Sequence, residues 1–149
     1  NVILRSSRKG FNEVYHKLGV NVEERGESFY SDMIEEVIKE LTEKGILTES
    51  EGALVYHSPS YTAPLLVRTS DGTYLYAATD LAAVKHRLAL GADLVLYVTD
   101  TSQNPHFMQI FEAAEAAGWL KDKNVLLEHI GFGVVRDMAG KKLSSRDGK

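Results

Sequence analysis

The 149-residue sequence contains no cysteine, which excludes a disulfide framework and a thiolate metal site. It also lacks an apolar run of membrane-spanning length and an amino-terminal signal peptide, so we expect a cytoplasmic protein, with an organellar form as the alternative. Nor is there an excess of basic residues: the formal net charge of -4 argues against a strong nucleic-acid binder, except locally at the carboxyl end. The remaining composition is that of one ordinary globular domain.

The second half of the chain carries a series of predicted strand-to-helix junctions. An aromatic and apolar strand is predicted at 74–77, and Asp80 follows it where a helix is expected to begin. Further elements are predicted as a strand at 93–98, a helix from about 105 to 117 and a strand at 124–130. Taken alone, Asp80 is predicted with about equal weight to be a helix N-cap or a ligand-binding carboxylate.

This alternation predicts an α/β fold, with a Rossmann-like parallel sheet and flanking helices. The carboxyl ends of parallel strands lie along one edge of the sheet, and open α/β sheets bind their ligands there. Polar residues that follow the strands are therefore expected to converge: Asp80, Gln103, His106 and His129.

The first half of the chain is predicted to contain two helices and a small β region. Apolar periodicity indicates a helix from about 7 to 18, and Val20 and Val22 alternate with polar neighbours as in a short strand. A second helix is expected from a capping box at Asp32 to about Gly45, with a solvated charged face that includes Glu40. Residues 49–61 are interpreted as a small β excursion or variable insertion, and 65–77 as a hairpin around Asp71-Gly72.

The carboxyl end, 140–149, combines four basic residues with serines and glycines. This is the composition of a mobile loop that can wrap polyphosphate with charge-assisted hydrogen bonds. The spacing of a Walker P-loop is absent, and an inert basic tail is the alternative interpretation.

Several segments, in one order, resemble those of arginyl-tRNA synthetases. Lys142-Leu143-Ser144-Ser145-Arg146 resembles the KMSKS signature of class I aminoacyl-tRNA synthetases, in the variant with arginine near its end. The stretch YLYAATDLAAVKHR, 74–87, is similar to the arginine-binding segment of that family. Other matching segments are 26–30, 97–107 and 129–133. The likeness covers nearly the whole chain and is weakest at 49–61, so 1–149 is interpreted as the later portion of a class I catalytic domain.

The resemblance implies a role for each matched residue. Arginine would be bound by Tyr76, Asp80 and Gln103, because a planar, always-charged guanidinium requires a fixed carboxylate. Lys142 and Arg146 would be the catalytic cations, with Mg²⁺ accompanying the nucleotide and tRNA(Arg) as the final acceptor. No resident metal site is implied. The expected ATP-binding residues are His106, His129, Gly131, Phe132, Lys142, Ser144 and Ser145. The residues themselves leave structural alternatives: core packing for Tyr76, helix capping for Gln103, and a backbone partner for His106.

The chain departs from the family pattern in ways that bear on activity. The HIGH signature of class I enzymes is absent from the sequence, as is an anticodon-binding domain. Leu143 and Ser145 replace a methionine and a lysine of KMSKS. We therefore expect a piece of a longer protein that is inactive by itself. The alternatives are a non-catalytic binding or regulatory module, and a related nucleotidyltransferase for another carboxylate, which the position of Asp80 disfavours.

Overall fold

The structure is a computed structural model that describes residues 2–134, 136, 138 and 140, with side chains described from residue 7 onward. None of the helices in these ranges is long and apolar enough to cross a membrane. The elements follow in the order α1 (Val2–Leu18), α2 (Ser31–Glu43), β1 (Leu47–Ser50), β2 (Ala53–Tyr56), β3 (Leu65–Arg68), α3 (Tyr76–Ala89), β4 (Leu94–Asp100), α4 (Asn104–Ala116) and β5 (Leu126–Phe132), with 3-10 turns at Glu27–Phe29 and Thr101–Gln103.

The described strands form two separate sheets. β1, β2 and β3 make an antiparallel sheet in that order, which accounts for the β structure expected within 49–61. β4 and β5 are parallel and pair without a register shift from Leu94 opposite Leu126 to Asp100 opposite Phe132. The predicted α/β class, with a parallel sheet and flanking helices, is confirmed, and the parallel sheet has two strands in the described part of the chain.

The strand predicted at 74–77 is wrong, because α3 already begins at Tyr76. Tyr74 pairs with Arg68 through a single antiparallel bridge, and the extended Leu75 is the N-cap of α3. The following alanines have high helix propensity, and as helical residues they are almost completely buried in the core. Asp80 is consequently the fifth residue of α3, too far along the helix to cap it, and the N-cap interpretation of Asp80 is wrong.

The first helix is confirmed, but its apolar face is not buried by the rest of the described chain. α1 is longer than predicted and ends at Leu18, before Gly19 with a φ of 65°. Phe11 is 60% exposed and Leu18 is 70% exposed, so periodicity identified the helix without identifying a partner for its face. The short strand predicted at 20–22 is wrong, since this segment has no strand partner in the described ranges.

The second helix buries the face that its periodicity predicted, consisting of Ile34, Val37, Ile38 and Leu41. Its predicted start is wrong: α2 begins at Ser31 after Tyr30, and no side chain caps it. The helix start is instead anchored by burial of Tyr30, which is 4% exposed. Core packing has thus replaced the capping box expected from Asp32 and Glu35.

Glu40 is the second exception to the prediction for α2, because it is bonded rather than solvated. Its carboxylate accepts hydrogen bonds from Lys44 Nζ at 2.7 Å, Lys85 Nζ at 2.5 Å and Trp119 Nε1 at 2.9 Å. Partial burial raises the pKa of Glu40, but these three donors outweigh it and lower the pKa from 4.5 to about 2. Glu40 therefore joins α2 to α3 and to the segment that follows α4.

Helix α3 lies at the centre of the packing and contacts α2, α4 and β3. Leu41 of α2, Leu81 of α3 and Ile110 of α4 are each 0% exposed. The alanines of α3 keep the helix surface narrow, which lets its neighbours approach closely. The amino end of α3 is thereby held in a defined position relative to the amino end of α4.

The two faces of the parallel sheet have different surroundings. Tyr97 points into the core and is 6% exposed, with Val95 and Leu127 packed partly against the same core. The opposite face carries apolar side chains that remain exposed in the described structure: Leu94, Leu96, Val98, Leu126, Ile130 and Phe132. One face of the parallel sheet is therefore covered by helices. The candidate site lies at the edge of the sheet where β4 and β5 end.

Candidate functional site

The centre of the site is a contact between Asp80 and His106. Asp80 Oδ2 lies 2.7 Å from His106 Nε2, and the two side chains are 28% and 22% exposed. Asp80 Oδ1 has no hydrogen-bond partner among the described residues. The carboxylate is thus held at one oxygen and open at the other, which suits it to receive a cationic ligand.

Tyr76 and Gln103 lie one helical turn from this pair. Tyr76 precedes Asp80 by four residues on α3, so both lie on the same face of the helix, and Tyr76 is 73% exposed. Gln103 precedes His106 by three residues, is exposed and makes no side-chain capping bond to α4. Core packing for Tyr76 and helix capping for Gln103 are therefore both wrong, and both side chains are available to a ligand.

The predicted convergence also includes His129, through contacts that sequence patterns did not indicate. His129 Nε2 lies 2.8 Å from Thr99 Oγ1, and His129 Nδ1 lies 3.1 Å from Asn104 Nδ2. Because the amide of Asn104 can only donate through Nδ2, Nδ1 is the acceptor and the ring carries its proton on Nε2. Thr99 and Asn104 thus set the tautomer of His129, although neither belongs to a recognisable motif.

Phe107 connects the two histidines. Its ring stacks on His129 with centroids 5.3 Å apart and planes at 18°, while His106 meets it edge-on at 5.1 Å and 81°. Phe107 is 7% exposed, so its ring is packed into the core beneath the two histidines. The alternative in which His106 pairs with the backbone at a helix start is wrong, since its described partner is the Asp80 carboxylate.

Gly131 and Phe132 hold the turn that carries Gln103. A Cβ at Gly131 would lie 3.0 Å from Thr101 Oγ1 and 3.1 Å from Thr101 Cα, so a larger residue would require the Thr101 turn to shift by a few tenths of an ångström. Thr101 Oγ1 donates to the Phe132 carbonyl oxygen at 2.9 Å. Both residues, predicted as ATP contacts, therefore also have a structural role in placing the 3-10 turn beside β5.

A cation between two aromatic rings lies beneath the site. The Arg87 guanidinium is 4.9 Å from the centroid of Tyr97 and 5.6 Å from that of Tyr30. Burial raises the pKa of the Tyr97 hydroxyl; Arg87 opposes this effect, while the carboxylate of Asp80 adds to it. The raised pKa keeps Tyr97 neutral at physiological pH.

The predicted phosphate-binding residues Lys142, Ser144, Ser145 and Arg146 lie outside the described residues. The described part of the chain has no group of three or more histidine and carboxylate side chains able to hold a metal ion. The structure thus brings Asp80 and His106 into contact, with Tyr76 and Gln103 within one turn of them along the chain. His129, Gly131 and Phe132 lie on the adjoining strand.

Comparison with known proteins identifies the family of this chain. The family model described as "tRNA synthetases class I (R), catalytic domain" matches residues 1–149. An arginine–tRNA ligase of Cyanothece sp. (strain PCC 7425 / ATCC 29141) is 41% identical over 99% of this chain and 26% of its own length. A chloroplastic/mitochondrial arginine–tRNA ligase of Arabidopsis thaliana is 45% identical over 94% of this chain and 22% of its own length.

A solved structure shows the same similarity in three dimensions. The arginyl-tRNA synthetase of Plasmodium falciparum superimposes with a TM-score of 0.82 and 40% sequence identity, over 88% of this chain and 23% of that one. The chain spans about a quarter of the length of the curated relatives it matches. The family model covers the whole of it, and the chain belongs to the class I arginyl-tRNA synthetase catalytic-domain family.

Proposed function

We propose that the protein containing this chain ligates arginine to tRNA(Arg) at the expense of ATP. The observation that carries the proposal is the partly exposed carboxylate of Asp80, with one oxygen bonded to His106 and the other unbonded among the described residues. A guanidinium keeps its charge at every physiological pH and pairs with a carboxylate in a defined plane. Arginine is the amino acid whose side chain this arrangement suits.

The other site residues receive supporting roles in the proposal. Tyr76 packs on and hydrogen-bonds the amino acid, and Gln103 makes a polar contact to it; both are exposed within one turn of the Asp80–His106 pair. ATP, accompanied by Mg²⁺, lies toward the carboxyl end of β5. The proposed nucleotide contacts are His129, Gly131, Phe132, Lys142, Ser144 and Ser145, and the resemblance also implies one at His106.

The reaction proceeds through an arginyl adenylate. The arginine carboxylate attacks the α-phosphorus of ATP, pyrophosphate leaves, and a hydroxyl of the terminal tRNA adenosine then displaces AMP. Charge spreads over the polyphosphate in the first step, so catalysis depends on positioning and on cations. Lys142 and Arg146 are the proposed source of that positive charge.

Aminoacylation by the complete protein tests this function. We expect arginine-dependent charging of tRNA(Arg) and no charging with citrulline, whose neutral urea group matches the guanidinium in shape. Absence of arginine charging under conditions that support a known arginyl-tRNA synthetase would reject the proposal. Charging with another amino acid would favour the related nucleotidyltransferase instead.

The 149 residues by themselves are expected not to form arginyl adenylate, because they contain no HIGH element. Pyrophosphate exchange with arginine, ATP and tRNA should stay at background for this chain, while the complete protein exchanges readily. Sustained exchange by the chain alone would show that the missing element is dispensable. A complete protein that also lacks a HIGH-like element and binds arginine without exchange would favour the non-catalytic binding module.

We propose a cytoplasmic location, supported by the cytoplasmic arginine–tRNA ligase of Rattus norvegicus, which is 39% identical over the whole of this chain. An organelle is the alternative, supported by the chloroplastic/mitochondrial relative. Localisation of a fluorescent fusion of the complete protein distinguishes the two.

A further inference from the structure

We propose that His106 is a positioning residue that holds the Asp80 carboxylate in the plane required for a guanidinium, and thereby sets the selectivity for a cationic over a neutral side chain. This inference rests on the proposed function. It also changes the expected role of His106, from a nucleotide contact to a determinant of amino-acid selectivity.

The first argument is that His106 is the described partner of Asp80. The 2.7 Å contact joins Nε2 to Oδ2, and an imidazole N–H at Nε2 donates to the carboxylate. The terminal torsion of an aspartate side chain is broad and two-fold, so an unpartnered carboxylate rotates easily. One fixed oxygen removes that freedom and defines where Oδ1 points.

The second argument is that His106 itself is held firmly. Its ring meets the edge of the buried Phe107, which in turn stacks on His129. His129 is bonded on both sides, to Thr99 and Asn104. The orientation of the Asp80 carboxylate is therefore tied to the carboxyl ends of β4 and β5, and not only to its own helix.

The contact could alternatively serve only to join α3 to α4. The two helices already contact each other, and each contributes completely buried residues to the common core, including Leu81, Ile110 and Ala114 at 0% exposed. A single partly exposed contact between a histidine and a carboxylate adds little to such an interface. A planar guanidinium, in contrast, rewards a fixed carboxylate plane, because its hydrogen bonds require a defined direction.

The test compares two amide variants in the complete protein, His106→Gln and His106→Asn. The side-chain nitrogen of glutamine can reach the position of Nε2, whereas that of asparagine is one bond shorter and cannot reach Asp80. We expect His106→Asn to lower kcat/KM for arginine at least roughly fivefold. It should also reduce the ratio of citrulline Ki to arginine KM, which measures selectivity. The ATP KM should stay within about twofold of the wild-type value. His106→Gln should recover most of both losses.

Two controls separate positioning from a structural role. His57→Gln changes an exposed histidine outside the site and should leave all three quantities unchanged. If His106 acts through Asp80, adding His106→Asn to Asp80→Asn should cause little further loss for arginine. If the His106→Asn protein unfolds at a lower temperature than the wild type, His106→Ser is measured in its place.

Three results would overturn the inference. Unchanged selectivity in His106→Asn, equal losses in both amide variants, or a change confined to the ATP KM would each show that His106 does not orient Asp80. These results differ from failure of the proposed function. In that case the wild-type protein shows no arginine-dependent exchange, and both proposals are rejected. An active wild type with an impaired Asp80→Asn variant and a normal His106→Asn variant rejects the inference alone.

Discussion

Replacing Asp80 with asparagine is expected to lower kcat/KM for arginine at least roughly tenfold in the complete protein, with a much smaller effect on the ATP KM. The substitution removes the charge but preserves size and an oxygen that can still accept from His106 at the 2.7 Å contact. A charge-assisted hydrogen bond contributes about 1.5 to 3 kcal/mol, and an uncompensated guanidinium in a partly buried site costs more. Steady-state pyrophosphate exchange with tRNA present measures both constants.

Asp32→Asn is the matched control, because Asp32 is exposed in the first turn of α2 and outside the site. It should leave arginine kinetics unchanged. Near-normal arginine kinetics in Asp80→Asn would contradict the assignment and reduce the Asp80–His106 contact to a link between α3 and α4. Helix capping cannot account for such a result, since α3 begins four residues before Asp80.

Replacing Glu40 with glutamine is expected to destabilise the 149-residue chain by about 2 kcal/mol at pH 7. Two lysines and the Trp119 indole donate to this carboxylate, and a neutral amide leaves the two cations without their common partner. The chain contains one tryptophan, so fluorescence of Trp119 during urea unfolding reports on the contact itself.

The destabilisation should depend on pH in a defined direction. The pKa of Glu40 is lowered from 4.5 to about 2 in the folded chain, so its stabilising effect is fully present above about pH 4.5. The effect is lost as the pH falls toward about 2, and the wild-type and Glu40→Gln unfolding free energies should converge there. A difference that stays constant down to that pH would contradict the lowered pKa.

Glu43→Gln is the control on the same helix. Glu43 Oε1 lies 3.8 Å from Lys39 Nζ, and both side chains are largely exposed, at 67% and 75%. Exposed pairs of this kind are worth only about 0.3 to 0.5 kcal/mol. A loss as large as that of Glu40→Gln would indicate a general charge effect on α2 instead of a specific network.

The candidate site shows how much sequence pattern and topology can predict. Asp80, Gln103, His106 and His129 were expected to converge at the carboxyl edge of a parallel sheet, and their relation to β4, α4 and β5 agrees with that expectation. The strand preceding Asp80 was wrong, because aromatic and apolar residues in a short run fit a strand and a buried helix equally well. Asp80 nevertheless reaches the site from within α3.

By itself, the sequence determined the presence and order of the longer helices, the apolar face of α2, the α/β class and the order of motifs that indicates the family. Periodicity and motif order are local properties, and a linear chain displays them directly. Only the tertiary structure decided that α3 begins at Tyr76, that Glu40 binds two lysines and Trp119, and that His106 pairs with Asp80. These outcomes depend on the burial of Ala77 and Ala78 and on distances between residues far apart in the chain, which only packing of the helices against the sheets can establish.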